Sequence, residues 1–427
     1  MISQPTCAAA RAALLHPLLL LFVGLVSWPD EWDTIRTVLD SARSPEPNHT
    51  SRDGHAAGYY VELIGGRDGP IRSRSELATR LTGNPDGWIP FPEADVIRYL
   101  DEDFLRFELK PRVRRTLFGQ PFVTNAFGMH DDHVTIEKPE GTFRIAVLGA
   151  SMDMGWGVKY QDTYLNRLQD WLSGRTACAG SSRPRRFEVL NFAVAAYSPL
   201  QRLDTLRRKV LAFRPDLVIY SATTLDIRLM EIHLCDMLRK GVDLRYDFLR
   251  EAVAASGIVD ADRRMIHKHR LKAKLKPYYW GLYDQALGRI AAECRSAGVP
   301  LVMVIIPRVG KEDAPGVRAE PVARLKALAA HYALTVFDLS DTFDPFDPST
   351  LEIAAWDDHP NAVGHQRLFQ ALARAVVKDP TLSDLLFPRE TSAPHGPAPG
   401  SLPEGGVGTE PADPRPEGCV AGRDWPP

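Results

Sequence analysis

Cysteine is scarce in this chain, and its scarcity excludes two kinds of scaffold. The 427 residues include five cysteines: Cys7, Cys178, Cys235, Cys294 and Cys419. None forms a CxxC pair or takes the spacing of a zinc site, and an odd number does not complete a disulfide framework. An excess of one charge is missing too. Lys and Arg total 52 against 54 Asp and Glu, a formal net charge of -2, so no global field attracts nucleic acid or an anionic lipid surface. No Lys-Ser/Thr follows a glycine-rich loop, which excludes a phosphate-cradling P-loop, and the G-x-G-x-x-G spacing of a dinucleotide site is absent. No internal repeat is visible. A long apolar run is also lacking: the N-terminal tract ALLHPLLLLFVGLVSW after Arg11 has an apolar core of roughly ten residues from Pro17, where a membrane span needs about twenty. Its flanks, Arg11 before and Asp30, Glu31 and Asp33 after, give the charge pattern of a secretory signal; an uncleaved anchor and a buried N-terminal helix are the other readings. Residues 1–28 are therefore expected to be a signal peptide or membrane anchor. The rest is expected to be extracytoplasmic, whether periplasmic, secreted or tethered to the membrane.

What is present is a globular composition, 44% hydrophobic and 25% charged, sufficient for a full core in one large domain with additions. Residues 29–94 are polar and rich in Gly, Pro, Arg and Asp, with Tyr59–Ile64 as their one strand-like run, and are expected to be a linker with little regular structure. Over 95–140 apolar residues recur at short intervals around Gly119, in FELKPRVRRTLFGQPFV, which predicts a small β-rich lead-in containing a hairpin. The main domain, 141–388, then alternates. Short apolar runs at Phe143–Leu148, Phe187–Phe192, Leu217–Tyr220, Leu301–Ile306 and Leu334–Phe337 predict strands. Three-and-four spacing predicts helices at Thr163–Leu172, Leu200–Phe213, Tyr279–Ala297, Pro321–Tyr332 and Ala362–Val377. Continuously apolar strands alternating with helices predict a parallel sheet covered on both faces. A helical, basic insertion is expected over 227–277; its run HKHRLKAKLK reads as a solvated helix face ahead of a lid. The Pro- and Gly-rich tail, 389–427, is expected to be disordered.

Chemistry concentrates in two distant segments. The stretch RIAVLGASMDMGWGV, Arg144–Val158, runs an apolar strand into a serine among glycines, at the strand end where parallel sheets bind ligands. The second segment is Asp357-Asp358-His359-Pro360-Asn361. A serine hydroxyl is a poor nucleophile until an imidazole takes its proton, and a carboxylate beside that imidazole fixes its tautomer and supports the cation. Ser151, His359 and the two aspartates supply those groups. A serine after a strand is often only a turn or N-cap residue, and the G-x-S-x-G elbow fails because Asp153 takes the second glycine position. It is the joint presence of the serine block and the distal histidine that points to catalysis. Met152, Met154 and Trp156 read as core packing ahead of an acyl-pocket lining, and His365 as helix surface or packing.

From Arg144 to Phe387 these blocks resemble the SGNH hydrolase family, also called GDSL-type esterases. Gly149-Ala150-Ser151 followed by Gly155 and Gly157 resembles the first block, with Ala150 in place of the usual aspartate. NFAVAAYS, Asn191–Ser198, is similar to the second, with Ala193 and Ala196 replacing glycines. Thr223-Thr224-Leu225-Asp226 matches the third, with Leu225 replacing the side-chain amide of the family's oxyanion hole. In the last, Trp356 stands at the usual Asp position and Asp357-x-His359 forms a D-x-H pair, similar to family members that act on polysaccharides. The resemblance implies a three-layer α/β/α, flavodoxin-like fold with a five-stranded parallel sheet and a Ser-His-Asp esterase. Its nucleophile would be Ser151 and its base His359, with Asp357 as the orienting acid and Asp358 in reserve. The oxyanion hole would comprise the N–H groups of Ser151 and Ala196, with Thr224 offering a hydroxyl in place of the missing amide. Asn191 and Asp226 would support the site; Asp226 either binds the Ser151 loop or caps a helix. No metal or cofactor is implied, and the substrate would be a small-molecule or glycan ester, such as an O-acylated carbohydrate. Two alternatives stand beside hydrolysis: O-acyl transfer to a glycan through the same site, and a non-catalytic binding module that keeps the fold.

Overall fold

The computed structural model describes residue 91 and residues 94–178, 186–264, 269–310, 313–354 and 357–387. The N-terminal tract, nearly all of the expected linker, Trp356 and the C-terminal tail lie outside them. Among the described residues no helix is long and apolar enough to cross a membrane.

The chain enters through two antiparallel ribbons. One pairs β1 (Ile97–Tyr99) with β2 (Phe107–Leu109), and the other is a hairpin of β3 (Arg114–Leu117) and β4 (Gln120–Val123). The hairpin turns on Phe118 and Gly119, with φ 52° and 72°, the paired positive dihedrals that match the twist of a two-residue turn. Glycine adopts this freely; the aromatic residue does so at a cost.

Five strands then build the main sheet: β5 (Thr142–Leu148), β6 (Arg186–Asn191), β7 (Leu217–Ala222), β8 (Leu301–Ile305) and β9 (Thr335–Asp338). Their order is β6-β5-β7-β8-β9, and every neighbouring pair is parallel. Because both faces are covered, β5 is buried at all its positions, as the apolar run Ile145–Leu148 requires. Alternate residues serve opposite layers. Ala146 and Leu148 join Leu203, Met237, Tyr283 and Leu287 on one face, and Ile145 and Val147 join Leu168, Leu172, Leu372 and Val376 on the other.

The helices follow in chain order: α1 (Ser151–Met154), α2 (Tyr164–Cys178), α3 (Pro199–Arg208), α4 (Asp226–Lys240), α5 (Asp247–Ala255), α6 (Asp260–Arg264), α7 (His269–Leu275), α8 (Tyr279–Ser296), α9 (Pro315–His331), α10 (Ala362–Lys378) and α11 (Pro380–Leu386). The insertion forms α4 to α7. Leu234, Leu249, Leu271 and Leu275 carry it into the core, while Lys272 and Lys274 pair with Glu231 and Asp262. It is thus an ion-paired extension of one layer.

Strand order reverses between β5 and β7, which places a crevice at their carboxyl ends. The lead-in is fastened beside that crevice. Tyr197 donates its hydroxyl to the Phe107 carbonyl at 2.8 Å, Gln201 Nε2 donates to the Leu105 carbonyl at 2.7 Å, and buried Arg106 pairs with Asp236 at 3.0 Å. His233 lies 2.8 Å from the Phe104 carbonyl through Nε2, which must donate, so its Nδ1 accepts from the Ser198 hydroxyl at 3.0 Å. Burial holds this imidazole neutral, its pKa pushed down to about 4.

Candidate active site

Ser151 opens the single-turn helix α1 directly beyond β5 and is 3% exposed. Asp153, the residue that breaks the elbow pattern, explains how this turn is held. Its carboxylate folds back to accept the Ala150 N–H at 2.9 Å and the Tyr164 hydroxyl at 2.5 Å. A Cβ at position 149 would stand 2.1 Å from Asp153 Oδ2, so only glycine leaves room for this fold-back. Burial raises the Asp153 pKa against the hydrogen bond from Tyr164. The turn's far end is capped as well. Asn191 Nδ2 donates to the Asp153 carbonyl at 2.9 Å, and His130 Nδ1 donates to that of Met154 at 2.8 Å. His130 comes from the lead-in, stacks on Phe122 at 4.2 Å, and is held neutral by burial, its pKa near 4.

The acid and the imidazole arrive on β11 (Asp357–Pro360), which pairs antiparallel with β10 (Glu352–Ala354) and packs against α1. His359 Nδ1 is hydrogen-bonded to Asp357 Oδ1. The same oxygen accepts the His359 backbone N–H at 3.1 Å, while Oδ2 accepts the Trp156 indole N–H at 3.3 Å. With its proton committed to Asp357 at Nδ1, the neutral ring presents the lone pair of Nε2, the form a general base needs. Burial opposes the imidazolium, but the Asp357 charge and hydrogen bond prevail and raise the His359 pKa above 6.5. Asn361 caps α10 by accepting from Val363 and Gly364 at 2.9 and 3.1 Å, which anchors the segment just after the histidine.

Two further expected residues, Asp358 and Thr224, are engaged by other partners. The Asp358 carboxylate is paired with Arg308, whereas it is Asp357 that is hydrogen-bonded to His359 Nδ1. Thr224 offers no hydroxyl to an oxyanion, because it donates to Asp313 Oδ1 at 2.7 Å, while Asp313 Oδ2 takes the Arg308 N–H at 2.9 Å. Asp226 starts α4 but does not bind the Ser151 loop. It forms a buried bidentate pair with Arg202 at 2.8 and 2.9 Å and accepts from Tyr283 at 3.1 Å. Leu225 is half-buried and packs against the apolar cluster that joins the lead-in to the site. Ala196 is 1% exposed and has φ 61°, a left-handed conformation that glycine takes without cost. His365 is a packing residue: Nδ1 accepts the Tyr164 N–H at 3.3 Å, and burial pushes its pKa down to about 3.

Among the described residues, Asp357, Asp358 and His359 place ligand-type atoms within 4.8 Å of one another. Their bonds to one another, to Trp156 and to Arg308 already engage both carboxylates and Nδ1. Sequence reasoning missed Arg308, Asp313, Arg202 and the polar role of Trp156. Only Asp153 left a usable signal, an acid placed to fold back onto the first turn of a helix.

The model of the GDSL-like lipase/acylhydrolase family matches residues 147–367, more than half of the chain. No curated protein sequence matches. Among solved structures, TesA is 14% identical, covering 55% of this chain and 97% of its own with a TM-score of 0.36. A catalytic mutant of Axe2, an acetylxylan esterase from Geobacillus stearothermophilus, is 16% identical, with coverages of 54% and 93% and a TM-score of 0.35. A lipase/acylhydrolase from Enterococcus faecalis is 16% identical, with coverages of 55% and 95% and a TM-score of 0.33.

Proposed function

The chain belongs to the GDSL-like lipase/acylhydrolase family and is an ester-hydrolysing enzyme, and from that premise we propose that Ser151 is its nucleophile, His359 its general base and Asp357 the carboxylate that orients the imidazole. One observation carries the assignment. The Asp357–His359 pair sits on a strand packed against the helix that Ser151 begins, and Trp156, in the loop after that helix, donates to the same carboxylate.

On this reading Ser151 Oγ attacks the ester carbonyl carbon while His359 Nε2 takes its proton. The backbone N–H groups of Ser151 and Ala196 stabilise the oxyanion. Collapse of the tetrahedral species expels the alcohol, which receives the proton from His359, and leaves an acyl-serine. Water, deprotonated by the same imidazole, then releases the carboxylic acid and restores the serine. The side-chain amide donor is replaced by Leu225, and the Thr224 hydroxyl is engaged by Asp313. A lost donor of this kind costs about 2.7 to 4 kcal/mol of transition-state stabilisation, so a slow esterase is expected.

For the substrate we propose an O-acyl group on a carbohydrate; the D-x-H spacing of Asp357 and His359 supports this class by family analogy. A fluorophosphonate probe should label the purified protein and leave folded Ser151→Ala unlabelled. Labelling of both would remove Ser151 as nucleophile. Acetate release from an acetylated glycan in water supports hydrolysis, whereas acyl product formed only with an added sugar acceptor would assign transfer instead.

A further inference from the structure

We infer that Trp156 is a positioning residue that locks the orientation of Asp357, and that the lead-in segment holds it in place; the inference rests on the triad reading above. Asp357 Oδ1 takes both the imidazole N–H and the backbone N–H of His359, and Oδ2 takes the indole N–H at 3.3 Å. A carboxylate held at one oxygen can still swing about its Cβ–Cγ bond. A donor on the second oxygen opposes that swing and keeps the acceptor in the imidazole plane.

The indole is itself clamped. Phe91 meets it edge-on at 5.1 Å and 75°, and Phe118 at 5.4 Å and 80°. Phe118 comes from the lead-in hairpin and Phe91 from the segment just before the lead-in. Phe118 stands at the hairpin tip with φ 52°, a conformation unfavourable for a bulky side chain, and its ring lies against the tryptophan. Gly157 continues the loop; a Cβ there would stand 2.6 Å from Ile353 on β10, so the loop carrying Trp156 lies close against the ribbon that carries the acid. At 1% exposure the indole offers no face for stacking a sugar. Its indole N–H is instead directed at the Asp357 carboxylate.

Four full-length proteins test this: native, Trp156→Phe, Asp357→Asn and the double variant, assayed with p-nitrophenyl acetate and checked for folding by thermal melting. In the native background Trp156→Phe is expected to lower kcat about tenfold with KM within about twofold, the scale of one hydrogen bond to a charged acceptor. With Asp357→Asn already present the same change is expected to cost less than about twofold, or to recover activity, because the indole N–H then has an amide N–H opposite it. Equal losses in both backgrounds, or a loss carried by KM, overturn the inference and leave the triad reading intact. Full activity in Asp357→Asn overturns both. Should Trp156→Phe not fold, Phe118→Leu loosens the clamp without touching the indole N–H. A loss of about threefold in kcat that disappears with Asp357→Asn supports the inference, and an equal loss in both backgrounds overturns it.

Discussion

Asp357→Asn separates the charge of the proposed acid from its geometry, because the structure shows what an amide would have to satisfy there. The carboxylate accepts at both ends: two N–H groups of His359 at Oδ1 and the Trp156 indole at Oδ2. An amide accepts at one end only. With its oxygen toward His359 it keeps two hydrogen bonds and opposes one donor; reversed, it keeps one and opposes two. At about 1 kcal/mol for each bond the first orientation is favoured, so the asparagine is expected to preserve the imidazole tautomer. What remains lost is charge. The opposite charge of Asp357 supports the imidazolium against the opposing effect of burial, and general acid–base catalysis of this kind contributes about 10² to 10⁴ in rate. The expected result is a kcat lower by about a hundredfold with KM little changed, short of the roughly 10⁴-fold loss that a wrong tautomer brings. The pH profile carries the sign. His359 must be neutral to accept a proton, and Asp357 overcomes the effect of burial to raise its pKa from the ordinary imidazole value, so activity rises with pH through the raised pKa. Without the carboxylate charge the imidazole titrates lower, and the acidic limb should move to lower pH even as the maximum falls. Measuring kcat/KM for p-nitrophenyl acetate across the neutral range checks both. Undiminished activity, or a limb that stays in place, would refute the reasoning.

Two further outcomes bear on the frame around the site. Ala196→Gly should be close to neutral in thermal melting, since relief of about 1 to 2 kcal/mol of left-handed strain is offset by about 0.4 to 1 kcal/mol of unfolded-state entropy and about 0.8 kcal/mol of methyl burial. Ala196→Val places a β-branched side chain at φ 61° and should lower both melting temperature and kcat; full retention of kcat would exclude its N–H from the oxyanion hole. Arg202→Met leaves the Asp226 charge buried and unpaired, and denaturant titration should show a loss of about 3 to 5 kcal/mol, part of it recovered by adding Asp226→Leu.

The five strands and the helices between them were legible because each is buried on a face whose period the sequence displays: continuous apolar runs for a doubly covered sheet, three-and-four spacing for its helices. The lead-in hairpin was legible from Gly119. Ser151, His359 and Asp357 stood out because their types and order matched one chemistry. Partnerships made by folding were not legible. Nothing local to Thr224 announces that its hydroxyl meets Asp313 89 positions away, and nothing near Trp156 announces Asp357 at a separation of 201. Asp153 was misleading for a related reason: it violates the elbow pattern because it takes over, as a folded-back carboxylate, the task of fixing the turn.

The replaced family residues also differ in what they remove. At Ala193 and Ala196 the side chain changes and the N–H remains, so on the proposed mechanism the donor at Ala196 survives if the backbone keeps its φ of 61°. The surroundings favour that conformation: Tyr197 is bonded to the lead-in through Phe107 and Ser198 is bonded to His233, so the loop is held on its C-terminal side. At Leu225 the donor itself was a side chain, and no backbone conformation restores it. The Thr223 hydroxyl lies 3.2 Å from Asp226 and that of Thr224 lies 2.7 Å from Asp313, so both neighbouring hydroxyls are already engaged. On the proposed mechanism the chain therefore retains the oxyanion donors that depend on fold and lacks the one that depended on residue identity. That difference predicts an enzyme whose rate responds more to how firmly the lead-in holds the loops than to the side chains lining them.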